Sequence, residues 1–224
     1  MKFFKKTENK EKYQSKIDEL IRIMKNSGYL NDRKIELAIR KCPRHKFVPK
    51  DFLDIAYENI PIPLMKNQTI SQPIVVSKMT EWLNVSDGQK ILEVGSGSGW
   101  QSAILSFLVG EKGKVFSIDR HPELVEFAKN NLNKLGIRNV DVILSDGGSG
   151  FSKESPFDRI IVTAACKKVP PPLLEQLSID GLLIAPVGEY FQSLIVYKKT
   201  SKGIIEIKNQ PGYAFVPLLG KYGN

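Results

Sequence analysis

Three acidic side chains stand at the ends of apolar runs: Glu93 within Ile91-Leu92-Glu93-Val94, Asp119 after Val115-Phe116-Ser117-Ile118, and Asp146 just beyond Val140 to Leu144. If the runs are buried strands, all three carboxylates lie at strand ends, where open α/β sheets bind ligands. Glu93 is followed by Gly95-Ser96-Gly97-Ser98-Gly99-Trp100. Glycine admits positive φ and lets a ligand approach the main chain closely. A dinucleotide-binding turn reads Gly-x-Gly-x-x-Gly and aims its amides at a pyrophosphate. Here the third glycine comes one residue early and Trp100 holds the expected place; a P-loop Gly-Lys-Ser/Thr is also missing. An acidic residue before this turn therefore suits a ligand with a cationic amine and no phosphate. Asp119 can accept both hydroxyls of a ribose. Asp146 ends the next strand and offers a further acceptor. Each acid alone could be a cap or turn residue, and Asp146-Gly147 reads equally as a plain turn. Their common placement at adjacent strand ends favours binding.

The elements that must carry these groups alternate. Strands are expected at 90–94, 114–119, 140–144 and 158–163, with helices at 100–109 and 122–135, as parallel βαβ units require. Leu124, Phe127, Ala128, Asn131 and Leu135 mark one face of the second helix, and Gly136 ends it. Pro170-Pro171-Pro172 opens a short helix to Leu177. Three short-linked strands at 181–187, 192–197 and 204–207 are expected to be largely antiparallel. The fold class is α/β, a doubly wound Rossmann-like sheet of about seven strands, mostly parallel with antiparallel C-terminal strands, plus N-terminal helices.

Upstream, residues 1 to about 12 are charged and expected to fray. Ile17, Leu20, Ile21 and Met24 recur at i, i+3, i+4 and i+7, an amphipathic helix ending near Gly28. Ile35, Ala38, Ile39 and Cys42 mark a second helix, starting at Asn31 or Asp32 and stopped by Pro43. Residues 43–49 form a rigid connection, Asp51 to Tyr57 a short helix, and Pro61 and Pro63 an extended segment. Ser71 is placed as the N-cap of a third helix, with Pro73 in its first turn. Val75 or Val76, Met79, Trp82 and Leu83 face the core. A single domain, 1–224, is expected. Within it, residues 1–85 form a helical region on the substrate side, and residues 86–224 form the sheet region that binds the ligand.

Composition narrows the classes. A chain of 224 residues with 42% hydrophobic content supports one sizeable core. Apolar runs fall well short of a membrane span. The basic start, Met1-Lys2-Phe3-Phe4-Lys5-Lys6, lacks the apolar segment of a signal peptide, so a cytoplasmic protein is expected. Cys42 and Cys166 form no metal-type pair, and Cys42 reads as a buried thiol. His45 and His121 give no metal spacing, so no metal is expected, and His121 reads as a surface residue. The net charge of +9 invites a nucleic-acid reading. However, Lys129, Lys134, Lys167, Lys168, Lys198 and Lys199 are scattered and lack aromatic interleaving. A solvated basic surface accounts for them.

Several motifs converge on one family. Thr69-Ile70-Ser71-Gln72-Pro73, the Gly95 to Gly99 turn with Trp100-Gln101, the run Phe157 to Ala165, Pro186-Val187-Gly188 and Phe215-Val216-Pro217-Leu218 closely resemble protein-L-isoaspartate O-methyltransferases, a branch of the class I S-adenosylmethionine-dependent methyltransferases. Pro43-Arg44 with Phe47-Val48-Pro49 resembles the same family's N-terminal signature. The likeness spans roughly residues 30 to 220. It implies methyl transfer from S-adenosyl-L-methionine, leaving S-adenosyl-L-homocysteine, to the free carboxylate of isoaspartyl residues in damaged proteins and peptides. Repair then follows through a succinimide. It implies Ser71 as the active-site residue, with Thr69 beside it and Ile70, Gln72 and Ile74 on the substrate side. Cofactor contacts are expected from Glu93, Gly95, Ser96, Gly97, Ser98, Gly99, Asp119, Arg120, Asp146, Gly147 and Thr163.

The chemistry fits these residue types. A carboxylate with a pKa near 4 is ionised at neutral pH, so no general base is required. What remains is alignment away from water, which can supply roughly 7–11 kcal/mol. A hydroxyl can orient one carboxylate oxygen while the other attacks. One departure stands out. Ile74 follows Gln72-Pro73 where the family commonly has an aromatic or histidine, and Val75-Val76-Ser77 occupies positions where a small residue is usual; peptide preference is what this touches. Two other readings compete. One is a methyltransferase of the same fold acting on another carboxylate or on RNA; the other is a non-catalytic module. The missing Asn-Pro-Pro-Tyr-type motif argues against amide or base methylation, and the intact acidic trio against a module. A monomer is expected.

Overall fold

The computed structural model describes residues 2–223, with side chains from Tyr13 onward. The chain starts with α1 (Lys2–Asn26) and α2 (Arg33–Lys41). The first helix begins earlier than the expected frayed segment allows; its lysines and glutamates are good helix formers. Ile17, Leu20, Ile21 and Met24 are buried on one stripe. Asp32 caps α2 by accepting from the Lys34 amide at 2.6 Å. Residues 50–52 form only a 3-10 turn, not the expected helix to Tyr57.

Next comes a short antiparallel pair, β1 (Ile62–Pro63) and β2 (Thr69–Ile70), joined through Ile62 opposite Ile70. Helix α3 (Pro73–Leu83) follows. This corrects the cap assignment. Gln72, not Ser71, is the residue before the helix, and neither side chain caps it. The Ile74 amide, free in the first turn, instead donates to Asn59 Oδ1 at 3.2 Å. A distant asparagine thus does what the serine was expected to do, and the Ser71 side chain is left for other work.

The sheet comprises β3 (Lys90–Val94), β4 (Lys114–Asp119), β5 (Val140–Leu144), β6 (Phe157–Val162), β7 (Leu177–Val187), β8 (Gln192–Thr200) and β9 (Gly203–Tyr213). Helices α4 (Trp100–Val109), α5 (Pro122–Lys134) and α6 (Pro171–Glu175) connect the parallel strands. The spatial order is β5-β4-β3-β6-β7-β8-β9. Strands β3 to β7 run parallel, while β8 and β9 are antiparallel. The chain winds from β3 outward to β5, then returns to lay β6 on the other side of β3. That reversal opens a crevice between the ends of β3 and β6.

Ile91 and Leu92 are fully buried on opposite faces of β3, each worth about 1.5–3 kcal/mol relative to exposure. One face packs on α6 and the C-terminal segment near Leu218. The other carries α3 and α4, and α1 and α2 pack beyond α4. Helix α4 is therefore buried on most sides, in keeping with a largely apolar sequence interrupted by Gln101, Ser102 and Ser106. In α5, Val125 and Leu132 are buried where Phe127 and Leu135 were expected. His121 is half-buried, not a surface residue, with its Nε2 enclosed.

Candidate active site

The Gly95 to Gly99 turn is held from both flanks. The Gly95 and Ser96 amides donate to the Ile118 carbonyl at 2.8 and 3.0 Å, locking β3 to β4 beyond the ladder. Gly95 has φ +100°, and a Cβ there would overlap Thr163 Oγ1. That hydroxyl donates to the Val94 and Gly95 carbonyls at 3.0 and 2.9 Å, tying the end of β6 to the turn. Gly99, at φ +83°, begins α4, and a Cβ there would lie 3.3 Å from Ala128 of α5. The first and third glycines thus permit close internal packing. The middle one, Gly97, lines the cleft.

Two carboxylates anchor the rim. Asp119 accepts from the Gly97 amide through Oδ2 and from the His121 amide through Oδ1, each at 3.0 Å. Glu93 is fully buried. Its Oε2 accepts from Ser117 Oγ at 2.6 Å and from Ser102 Oγ, while Oε1 has no partner among the described residues. Burial pushes this carboxyl up to about 7; the Ser102 and Ser117 hydroxyls pull it back and the nearby Asp119 charge raises it further.

Both acids line a cleft of about 550 Å³ at the β3/β6 crevice, within the size range of small-molecule sites, about 300–1,000 Å³. The opposite wall carries Thr69, Ile70, Ser71 and Gln72 from the segment before α3, together with Val75 and Val76. Tyr213, Ala214, Phe215 and Val216 close a third side. The Phe215 amide is held by Gln192 Oε1 at 2.9 Å. The Ser71 hydroxyl has no hydrogen-bond partner among the described residues, while its carbonyl accepts from Arg44.

Of the residues expected from sequence, the cleft gathers Ser71, Thr69, Ile70, Gln72, Glu93, Gly95, Ser96, Gly97, Ser98, Asp119 and Thr163. Arg120 and Gly147 fall in a small adjoining recess of about 50 Å³, shared with Gly95 and Asp119. Ile74, Gly99 and Asp146 line neither. Asp146 accepts from the Gly148 amide at 3.0 Å and the Lys221 amide at 2.8 Å, one main-chain amide on each oxygen, as at Asp119. Gln68, Trp100, Gln101 and the Tyr213–Phe215 wall also line the cleft, although no sequence signal marked them as contacts.

The lining fits S-adenosyl-L-methionine. A buried carboxylate oxygen without a partner among the described residues, Glu93 Oε1, suits a cationic amine; Asp119 offers a carboxylate at the end of β4, and the turn carries no phosphate-binding signature. A doubly wound sheet with this crevice and this acidic rim is the framework of a class I S-adenosyl-L-methionine-dependent methyltransferase.

The family model for protein-L-isoaspartate(D-aspartate) O-methyltransferase matches residues 15–223. The chain belongs to that family, and it is a carboxyl O-methyltransferase that uses S-adenosyl-L-methionine. The protein-L-isoaspartate O-methyltransferase of Methanococcoides burtonii is 46% identical over 91% of this chain and all of its own length. That of Pyrococcus horikoshii is 46% identical over 96% of this chain and 98% of its own. A solved protein-L-isoaspartate O-methyltransferase superposes with a TM-score of 0.84 at 31% identity, covering 93% of this chain and 67% of that one. A Plasmodium falciparum chain described as a beta-aspartate methyltransferase, in complex with S-adenosyl-L-homocysteine, gives 0.80 at 25% identity, covering 90% and 97%.

Proposed function

We propose that this chain methylates the free carboxylate of isoaspartyl residues in damaged proteins and peptides, which opens their repair through a succinimide. The observation that carries the reading is one cleft lined by Ser71 on one wall and by Glu93 and Asp119 on the other, with Glu93 Oε1 left without a partner among the described residues. When bound, the cofactor supplies a methyl group on a sulfonium, already activated toward a nucleophile. Glu93 pairs with its amine and Asp119 with its ribose hydroxyls. Ser96, Gly97 and Ser98 border the cofactor through the turn, and Thr163 holds that turn in place. Arg120 and Gly147 border the adenine end. Asp146, which also accepts from the Gly148 and Lys221 amides, offers its remaining acceptor capacity at that end.

On the opposite wall the Ser71 hydroxyl donates to one oxygen of the substrate carboxylate and turns the other toward the methyl group. Thr69 and Gln72 flank it. The cleft wall carries no lysine, arginine or histidine among the described residues, so neutral donors do the orienting. The carboxylate is already ionised at neutral pH, and the side chains need not remove a proton. Apolar Ile70, Val75, Val76 and Phe215 keep water from the line of attack.

We read the enzyme as a monomer. We read residues 1–224 as one methyltransferase domain, with 1–85 supplying the substrate wall and 86–224 most of the cofactor wall. Among the described residues no helix is long and apolar enough to cross a membrane, and a cytoplasmic setting suits substrates that are other proteins. The test uses two peptides that differ only in aspartyl linkage, incubated with methyl-labelled cofactor. Label should enter the isoaspartyl peptide; equal labelling of both, or none, overturns the reading.

A further inference from the structure

Arg44 is 1% exposed, yet no acidic side chain pairs with it among the described residues. Its partners are main-chain carbonyls. Nη1 donates to Ala56 at 2.9 Å and Glu58 at 3.3 Å. Nη2 donates to Ile60 and Ser71, each at 3.0 Å, and reaches Ile70 at 3.5 Å. The guanidinium carbon lies 5.3 Å from the centroid of the Trp100 ring. Trp100 directly follows the glycine turn, and its Nε1 donates to the Cys42 carbonyl at 2.8 Å. A buried cation without a counter-charge is costly, and burial brings this guanidinium down to about 9. The chain tolerates that cost at one point, directly between the segment bearing Ser71 and the residue that ends the cofactor turn.

We infer that Arg44 is a positioning residue for methyl transfer, setting the distance between Ser71 and the glycine turn. It grips the Ile70 and Ser71 carbonyls while its charge lies over the Trp100 ring. The inference rests on the reading that Ser71 orients the substrate carboxylate. A shift of the Ser71 peptide moves its hydroxyl equally, and misplacement by about 1 Å costs on the order of 100-fold in rate. Lysine is no substitute. It keeps the charge but presents a compact ammonium that lacks the planar fork reaching several carbonyls at once.

The experiment compares Arg44→Lys, Ser71→Ala and the double variant. Readouts are turnover at saturating isoaspartyl peptide and affinity for S-adenosyl-L-homocysteine by calorimetry. Arg44→Lys should lower kcat about 10- to 100-fold with cofactor affinity nearly unchanged. The double variant should be no slower than the slower single variant, because both act through one hydroxyl. If Ser71→Ala is slow while Arg44→Lys turns over normally, or if the two losses simply multiply, the Arg44 inference fails and the Ser71 reading stands. If Ser71→Ala keeps full turnover, the Ser71 reading fails and takes the inference with it. Should Arg44→Lys not fold, Arg44→Gln is measured in its place, and loss of fold in both overturns the inference in favour of a purely structural arginine.

Discussion

Glu93 should make cofactor binding depend on pH. Without a bound amine its carboxyl titrates at about 7 because it is fully buried, against 4.5 in an open chain. A folded-state value above the unfolded one means the folded protein holds this proton more tightly. The resulting stability is fully present below about pH 4.5 and is lost as pH rises through about 7, roughly 3 kcal/mol in all. A cationic amine beside Oε1 requires the ionised form, so below neutrality binding must expel a proton. Affinity for S-adenosyl-L-homocysteine, which carries the same amine, should fall about tenfold per pH step below about 7, close to 100-fold by about pH 5. Calorimetric titrations in two buffers of different ionisation heat count the proton directly, and close to one should be released at about pH 6. Glu93→Gln, of the same shape and without a proton to lose, should bind weakly and with a flat profile. A flat wild-type profile, or a Gln variant that keeps the wild-type slope, refutes the assignment of Glu93 to the amine.

Ser71→Ala should lower kcat about 10- to 100-fold, the loss of one hydrogen bond to a charged acceptor at roughly 1.5–3 kcal/mol, with cofactor affinity unchanged; steady-state kinetics and calorimetry separate the two. Asp119→Ala should act in the opposite order, weakening S-adenosyl-L-homocysteine by about 10- to 100-fold, since it removes both the ribose acceptor and the partner of the Gly97 amide. Gly95→Ala should destabilise the fold by about 2–4 kcal/mol in urea titrations, from backbone strain at φ +100° together with displacement of the Thr163 hydroxyl. Wild-type stability in that variant would mean the turn yields where it is described as locked.

The strands and helices from Lys90 to Val162 could be read from sequence because their signals are local: apolar runs, helical spacing, and glycines between them. The acidic rim followed from strand ends. What could not be read was tertiary. Ser71-Gln72-Pro73 looks like a helix start on any local criterion, and only Asn59, brought in from a distant turn, displaces the serine from capping. That the Lys221 amide, 75 residues on, returns to Asp146 has no local signal. Arg44 sits in a stretch without periodicity, and no spacing rule shows that a charged side chain in a connection will be buried against an aromatic ring. Strand β9 outran its expected end because Lys208, Asn209 and Gln210 are polar and Pro211 and Gly212 interrupt the pattern.

The cleft lining comes from distant parts of the chain: residues 61–76, 93–101, 119–124, 163–164 and 212–216. During translation the glycine turn emerges and can pair with its neighbouring strands well before the last of these exists. A nascent chain that stops short of Gly212 retains the nucleoside-binding signature but leaves one flank of the crevice open to solvent. Methylation competence therefore arrives late in synthesis, and nonsense or proteolytic products ending before that point are expected to be idle even where they fold.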